Sequence, residues 1–296
     1  MRTTRRRFLG AAGAGLAAGL AGCSGGGPTV PSIAEAPGVA GSEFRFAYEA
    51  TDVAIPRRPP VVLGRLDDLR DHGAHLADPP HALAGHEPLS SPVSDVVSLP
   101  STTAYAKVAG ARAFVGVDAD AARSSLADAG EETTASGRPY FEGEDWAAAV
   151  TDDAVVEAAA PLVGSARERR QYATTIAAAV AGDEDRLLDV HEPSRRVADA
   201  LPACQYVSVS PSLSDVDFRS EIFGVSVRGE QSVLATARLA ADHRDPSKRN
   251  ARLDVVDRWE SRLTPDASVS NVTVLKDDHL VRVTGVVPTA KIRPSG

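Results

Sequence analysis

The chain contains few cysteines, few lysines and no long apolar run, and these shortages exclude several classes of protein. Two cysteines in 296 residues are too few for a disulfide-stabilised scaffold. No apolar run reaches the roughly eighteen residues of an ordinary membrane-spanning helix. Only four of the 32 basic residues are lysine, and 40 acidic residues give a formal charge of −8, which argues against a nucleic-acid binder. An apolar content of 43% is enough for a folded core.

The first 23 residues form the most specific pattern in the chain. Four arginines and no acid precede a weakly apolar run rich in Gly and Ala, which is the layout of a signal peptide. Residues 4–9 (TRRRFL) resemble the twin-arginine export motif, with Arg5 and Arg6 as the pair. Residues 20–23 (LAGC) resemble a lipobox, the motif in which the cysteine becomes a lipid-modified N-terminus.

This resemblance to twin-arginine-exported lipoproteins implies that Cys23 carries a lipid anchor. The anchor would hold the protein on the extracytoplasmic face of the cell membrane. The membrane is therefore a predicted partner, bound through the lipid at Cys23. The alternative is an ordinary thiol close to a cleaved signal.

Salt adaptation is a second expectation, and it comes from composition. Removing residues 1–22 takes away four arginines and no acid, so the formal charge falls from −8 to −12. The lysine-poor, aspartate-rich chain resembles proteins of haloarchaea, whose molar salt shortens the screening length to about 3 Å. An ordinary acidic protein of a GC-rich genome is the alternative.

Composition divides the chain into three segments. Residues 1–22 are the signal peptide, and residues 23–42 are a Gly-, Pro- and Ser-rich flexible tether without hydrophobic periodicity. Residues 43–290 form the folded body, which is long enough for one domain or for two lobes, 43–202 and 203–290.

Hydrophobic periodicity in the body predicts an α+β fold, with helices packed on antiparallel sheets. A strand, a helix and a hairpin at 113–117, 119–129 and 146–158 recur at 232–239, 246–263 and 269–287. Two β-α-β-β repeats are one interpretation. Chance is the other, because this order is common and the Asp-Asp pair in each hairpin suits any turn.

Further elements follow from local patterns. Residues 165–181 form an amphipathic helix by their 3.6-residue spacing, and residues 205–210 form a strand. Residues 96–99 also predict a strand, whereas the polar stretch 130–138 predicts a loop.

Histidines supply the best polar cluster, because four of the seven fall within fifteen residues: His72, His75, His81 and His86. Neutral imidazole is a common ligand for zinc, copper and nickel, so these residues are candidate metal ligands. The first two would share a face at the end of a helix over residues 65–75. The spacing matches no metal motif, and a solvated polar loop is the alternative.

Other reactive residues lack a supporting pattern. Cys204 could act as a nucleophile with His191 or His243 as its base, but a lone cysteine at the start of a strand is more often buried and inert. Phosphate-loop, CxxC and hydrolase patterns are missing, so no catalytic residue and no cofactor is assigned. Asn271 begins a glycosylation sequon, NVT.

The sequence favours a binding or interaction module at the cell envelope, with an unknown envelope protein or ligand as partner and no nucleic acid. The alternative is an envelope hydrolase or metalloprotein that uses the histidines of residues 72–86. Whether the protein is an enzyme stays open at this point. The body resembles no characterised family.

Overall fold

Strand is more abundant than helix in the described part of a computed structural model of the chain, which contains twelve strands. The described residues are 61–83, 91–97, 99–108, 110–135, 137–160, 163–181, 183, 192–202, 204–210, 218–240 and 248–293. They all belong to one compact unit, Ile33–Gly296. The predicted signal peptide and tether lie outside the described residues, so Arg5, Arg6 and Cys23 do as well.

The strands are β1 Val61–Arg65, β2 Ala104–Val108, β3 Ala111–Val115, β4 Glu131–Ala135, β5 Arg138–Glu142, β6 Trp146–Val150, β7 Ala154–Ala159, β8 Tyr206–Ser210, β9 Phe218–Arg228, β10 Gln231–Ala240, β11 Ser270–Asp277 and β12 Leu280–Pro288. The helices are α1 Leu66–Asp71, α2 Pro80–Leu83, α3 Pro92–Val96, α4 Ala119–Ala129, α5 Ala166–Ala181, α6 Glu192–Asp199 and α7 Lys248–Glu260. Short 3₁₀ turns cover Gly73–His75 and Thr289–Lys291.

All twelve strands belong to one sheet in which neighbouring strands are antiparallel. We call β1–β7 the N-terminal half and β8–β12 the C-terminal half; they meet where Leu63 of β1 lies opposite Val207 of β8. Outward from this pair, one half runs β1-β2-β3-β7-β6 and the other runs β8-β9-β10-β12-β11. The hairpin of β4 and β5 extends the N-terminal half beyond β6.

Both faces of the sheet are apolar and covered by helices. Successive side chains point to opposite faces, so Tyr105 of β2 packs on one side and Ala106 on the other. Helices α5 and α6 cover the first face, which includes Ala106. Helices α1, α3, α4 and α7 cover the second face, which includes Tyr105. A sheet buried on both sides explains its continuous apolar strands.

Local signals begin the helices at the expected places. Asp118 accepts a hydrogen bond from the Ala121 amide at 3.0 Å and caps α4. Ser165 and Glu168 form a reciprocal capping box at the start of α5, since each side chain accepts from the other's amide at 3.2 Å. The amphipathic helix predicted over 165–181 is confirmed as α5.

The predicted α+β class, with antiparallel sheets and two possible β-α-β-β repeats, is wrong. One continuous sheet of twelve strands replaces the expected sheets, and the molecule is richer in strand than that class. Residues 130–138 were expected to be a loop, yet they contain β4 and the start of β5. Because β4 is polar along its whole length (EETTA) at the edge of the sheet, no alternation of apolar residues marks it.

Candidate functional site

A cavity of about 160 Å³ lies on the second face of the C-terminal half, between the sheet and α7. Its floor comes from β9 and β10, where Glu221 lies opposite Arg238 and Phe223 lies opposite Thr236. Helix α7 and the turn after it supply the other wall: Val255, Arg258, Trp259, Ser261 and Arg262. We call this space the α7 cavity.

Hydrogen bonding and packing hold α7 against the floor of the cavity. The Trp259 indole donates from Nε1 to Thr236 Oγ1 at 3.0 Å, and Trp259 is 2% exposed. Val255 lies one helical turn before Trp259 and is also buried, so both residues face the sheet. Arg262 places its guanidinium carbon 4.4 Å from the centre of the Phe223 ring. The helix therefore carries an apolar edge and a cationic edge at the same cavity.

Glu221 joins two arginines that come from different elements. Its Oε2 accepts a hydrogen bond from Arg238 Nε in the floor, and its Oε1 accepts from Arg258 Nη1 of α7 at 2.9 Å. Burial raises the pKa of Glu221, whereas the charges of Arg258 and Arg262 oppose that rise. With Glu221 ionised, the charged residues of the described lining, three arginines and one carboxylate, carry a formal charge of +2.

Arg238 is the decisive residue of the site. Its side chain is 2% exposed, and its guanidinium lies 5.1 Å from the centre of the Phe218 ring. Glu221 accepts from its Nε, but Nη1 and Nη2 are buried without a hydrogen-bond partner among the described residues. Unpaired buried donors cost free energy, and more so when they carry charge. The arrangement fits an anion that supplies the missing acceptors.

The N-terminal half buries an arginine and a glutamate on the same face. Arg112 of β3 lies opposite Glu157 of β7, and each residue is 1% exposed. Ser91, just before α3, donates to Glu157 Oε1 at 3.0 Å. Burial raises the pKa of Glu157, while this hydrogen bond and the charge of Arg112 lower it.

The candidate metal ligands lie away from the α7 cavity. His72 ends α1 and His75 lies in the following 3₁₀ turn, both half-buried, with His75 near Gly229 of the β9–β10 turn. The side chain of His81 and all of His86 fall outside the described residues. No group of three or more metal-ligating side chains occurs among the residues that are described. The metal hypothesis therefore stays a prediction.

Cys204 is fully buried between the sheet and the chain that follows α6. Its Sγ donates to the Pro202 carbonyl at 3.2 Å, and burial raises its pKa to about 12. A thiol with that pKa is a poor nucleophile near neutral pH. Both His191 and His243, the bases considered for it, lie outside the described residues.

Asn271 lies on the edge strand β11 beside an irregularity in the pairing, and it is exposed. Its φ of 49° is in the left-handed region that asparagine tolerates better than most residues. Glycosylation at this residue stays a prediction.

Sequence reasoning missed the α7 cavity, although two signals pointed to it. Arg238 is a charged residue inside the apolar strand β10, where a partner or a ligand must offset the free-energy cost of burying its charge. On α7, Val255 and Trp259 are four residues apart, so this apolar pair shares a face, and Arg258 and Arg262 place two cations at the end of the helix and in the turn after it.

Comparisons with known proteins found little that resembles this chain. No protein-family model and no curated protein matches it. Two crystal forms of TP0453, forms I and III, each give a TM-score of 0.43, at 9% and 7% sequence identity. These matches cover 78% and 79% of this chain and 90% and 92% of the other. Within the described part of the chain, none of the helices has the length and apolar character needed to cross a bilayer.

Proposed function

We propose that this protein is an exported, lipid-anchored binding module of the cell envelope, and that its body binds a small anionic ligand in the α7 cavity. Arg5, Arg6 and Cys23 support the export and the anchor, because they stand in the two motifs of the signal segment. The tether over residues 23–42 then spaces the body from the membrane surface.

One observation carries the binding role: Arg238 is buried at the cavity with two nitrogens that have no acceptor. Glu221 accepts from Arg238 at Nε only, so the Nη1 and Nη2 donors of Arg238 exceed the acceptors that the described residues supply. The surplus of cationic donors is the expected property of an anion site. The lining residues that the structure describes include no histidine, so the described part of the cavity favours binding over the metalloprotein alternative.

Calorimetric titration of the mature chain with a panel of small anions, inorganic phosphate and carboxylates, tests the binding role. The titrations are done at molar salt, where screening suppresses binding to exposed charges. We expect saturable binding that Arg238→Met removes and that Arg252→Gln leaves intact. Arg252 is a matched control because it is an exposed arginine on the same helix and does not line the cavity. Binding that Arg252→Gln weakens as much as Arg238→Met does would refute the site.

Cell fractionation tests the anchor separately. Replacing Cys23 with serine removes the acceptor of the lipid, so the protein should move from the membrane fraction to the medium. Replacing the Arg5–Arg6 pair with lysines should instead retain the full-length precursor in the cell. Membrane retention of an exported Cys23→Ser variant would exclude the lipid anchor.

A further inference from the structure

The α7 cavity has two chemically different walls, and together they restrict the ligand. We propose that the ligand is a small amphipathic carboxylic acid, whose carboxylate pairs with Arg238 and whose compact apolar body packs against Trp259, Val255 and Phe223. This inference rests on the proposed binding function and adds the chemical class of the ligand.

The free edge of Arg238 defines the charged group. Glu221 occupies Nε, which leaves the Nη1 and Nη2 edge of the guanidinium. Two parallel N–H groups of one edge match the two oxygens of a carboxylate. The Phe218 ring and Glu221 already hold the guanidinium in place, so little side-chain entropy is lost when the ligand binds.

The opposite wall defines the rest of the ligand. Val255 and Trp259 are 1% and 2% exposed, and the Phe223 ring lies beside them in the lining. An inorganic anion on Arg238 would leave these apolar surfaces without a partner. A hydrocarbon, in turn, would leave the Arg238 nitrogens buried and unpaired. Only a ligand with both properties satisfies both walls.

The volume sets the size of the apolar body. A cavity of about 150 Å³ accepts one benzene ring, and the α7 cavity measures about 160 Å³. One ring, or a branched chain of similar bulk, is therefore the upper limit for the apolar body. Thr236 adds polarity at the floor, since its oxygen accepts from Trp259 and its own hydroxyl proton remains for a ligand oxygen.

The formal charge of the cavity lining fits a ligand with one carboxylate, and the exposed Arg258 indicates where the ligand enters the cavity. The cluster carries +2 with Glu221 ionised, so one carboxylate lowers it to +1 without displacing Glu221. The side chain of Arg258 is 54% exposed, whereas that of Arg238 is 2% exposed. Arg258 thus attracts the acid from solvent, and Arg238 holds it.

Calorimetry with matched probes tests the ligand class. The probes are benzoate, its neutral analogue benzamide, phenyl phosphate and inorganic phosphate, each titrated into the mature chain at molar potassium chloride. We expect benzoate to bind at least about tenfold more tightly than benzamide and inorganic phosphate. Binding should also quench the fluorescence of Trp259, measured in a Trp146→Phe background because the chain has only two tryptophans.

Single substitutions test the charged wall and the apolar wall of the cavity separately. Arg238→Met should abolish benzoate binding, and Arg258→Gln should weaken it about three- to tenfold. Val255→Thr keeps the shape of the side chain but makes the wall polar, so it should weaken benzoate and spare inorganic phosphate. Arg252→Gln is again the control. If Arg238→Met does not fold, Arg258→Gln and Val255→Thr still decide between the outcomes.

The outcomes separate the two proposals. Benzoate binding that depends on Arg238 and Val255 supports both of them. Equal or tighter binding of inorganic phosphate or phenyl phosphate, or indifference to Val255→Thr, overturns the carboxylic acid and keeps the anion site. Absence of binding by all the anions at millimolar concentration overturns both.

Discussion

The two halves of the sheet bury the same two residue types on the same face and use them differently. In the N-terminal half, Ser91 and Arg112 both act on Glu157, and the pair is almost fully enclosed. In the C-terminal half, Glu221 faces a second arginine from α7, and the cavity opens beside Arg238. The two clusters therefore differ in the second arginine and in the open space beside Arg238, and not in the buried arginine and glutamate themselves.

The arginines of the two clusters lie on corresponding strands, β3 and β10, but their glutamates lie on opposite neighbours. Glu157 is on β7, towards the outside of its half, whereas Glu221 is on β9, towards the centre of the sheet. Glu221 accepts a hydrogen bond from Arg258 of the covering helix α7, whereas Glu157 accepts from Ser91, just before α3.

The sharpest test of the comparison removes the arginine from each half. Arg112→Met leaves Glu157 buried without its cation, which should lower the free energy of unfolding by about 3–5 kcal/mol. Arg238→Met should cost less, about 1–3 kcal/mol, because Arg258 still pairs with Glu221. Urea denaturation followed by tryptophan fluorescence measures both. Equal losses would show that the two clusters are energetically alike.

Two glycines test the packing around α7. A Cβ on Gly285 would clash with Val269 Cγ1 and would lie 2.9 Å from Trp259 Cζ3. We expect Gly285→Ala to destabilise by about 1–3 kcal/mol, to shift the emission of Trp259 and to weaken anion binding. Gly224→Ala is the control, because its Cβ would meet Cys204 Sγ at 2.6 Å, on the first face. Similar effects of both variants on binding would contradict the position of the site.

Ser91→Ala removes the hydrogen bond that closes the N-terminal cluster. The expected loss in the free energy of unfolding is about 1–2 kcal/mol, since the acceptor is a buried carboxylate. The pKa of Glu157 should rise further, because the hydrogen bond lowers it. Anion binding in the α7 cavity should not change. A change in binding would mean that the halves are coupled.

A change in pH should change the stability that Glu157 and Glu221 contribute in the same direction. Burial raises the pKa values of Glu157 and Glu221 above their ordinary value of 4.5. The folded protein therefore binds more protons than the unfolded chain between that value and the folded pKa. The resulting stabilisation is fully present below pH 4.5 and is lost as the pH rises through the folded pKa.

Glu157→Gln and Glu221→Gln isolate these contributions. Each variant should flatten the fall in stability with rising pH across that window, as measured by urea denaturation at several pH values. A steeper fall in either variant would contradict the raised pKa of the glutamate that it replaces. Other carboxylates titrate equally in the variant and the parent, so the difference between the two curves is the quantity to compare.

The smallest effect is expected from an exposed pair. Lys291 donates to Asp266 and lowers the pKa of that carboxyl to about 2. The Asp266 side chain is largely exposed and that of Lys291 is half-buried, and molar salt screens the pair, so Lys291→Gln should leave the unfolding curve unchanged. A measurable loss would show that surface charges matter more here than the buried clusters suggest.

Much of the secondary structure followed from local patterns. Helix α4 with its Asp118 cap, helix α5 and the paired strands β6–β7, β9–β10 and β11–β12 all lie where the periodicity and turn residues predict them. The strand expected over 96–99 was wrong, because Pro92 begins the short helix α3 that ends at Val96.

The sheet and the site were harder to predict for the same physical reason. The order of strands in a sheet depends on pairing between segments that are far apart in the sequence. Local hydrophobic periodicity predicts each strand but does not predict its neighbours. The pairing of β1 with β8 joins residues far apart in the sequence and makes one sheet of two halves. The cluster at the α7 cavity likewise combines β9, β10 and α7.

The lysine-poor acidic composition, the two motifs around Arg5, Arg6 and Cys23, and most helices and hairpins are properties that the sequence determined by itself, because each depends on neighbouring residues. Tertiary structure alone decided that Arg238 is buried with unpaired nitrogens and that Arg112 is enclosed with Glu157. An arginine has the same chemistry in both places. Only packing determines whether the buried arginine is enclosed, as Arg112 is, or lies beside open space, as Arg238 does.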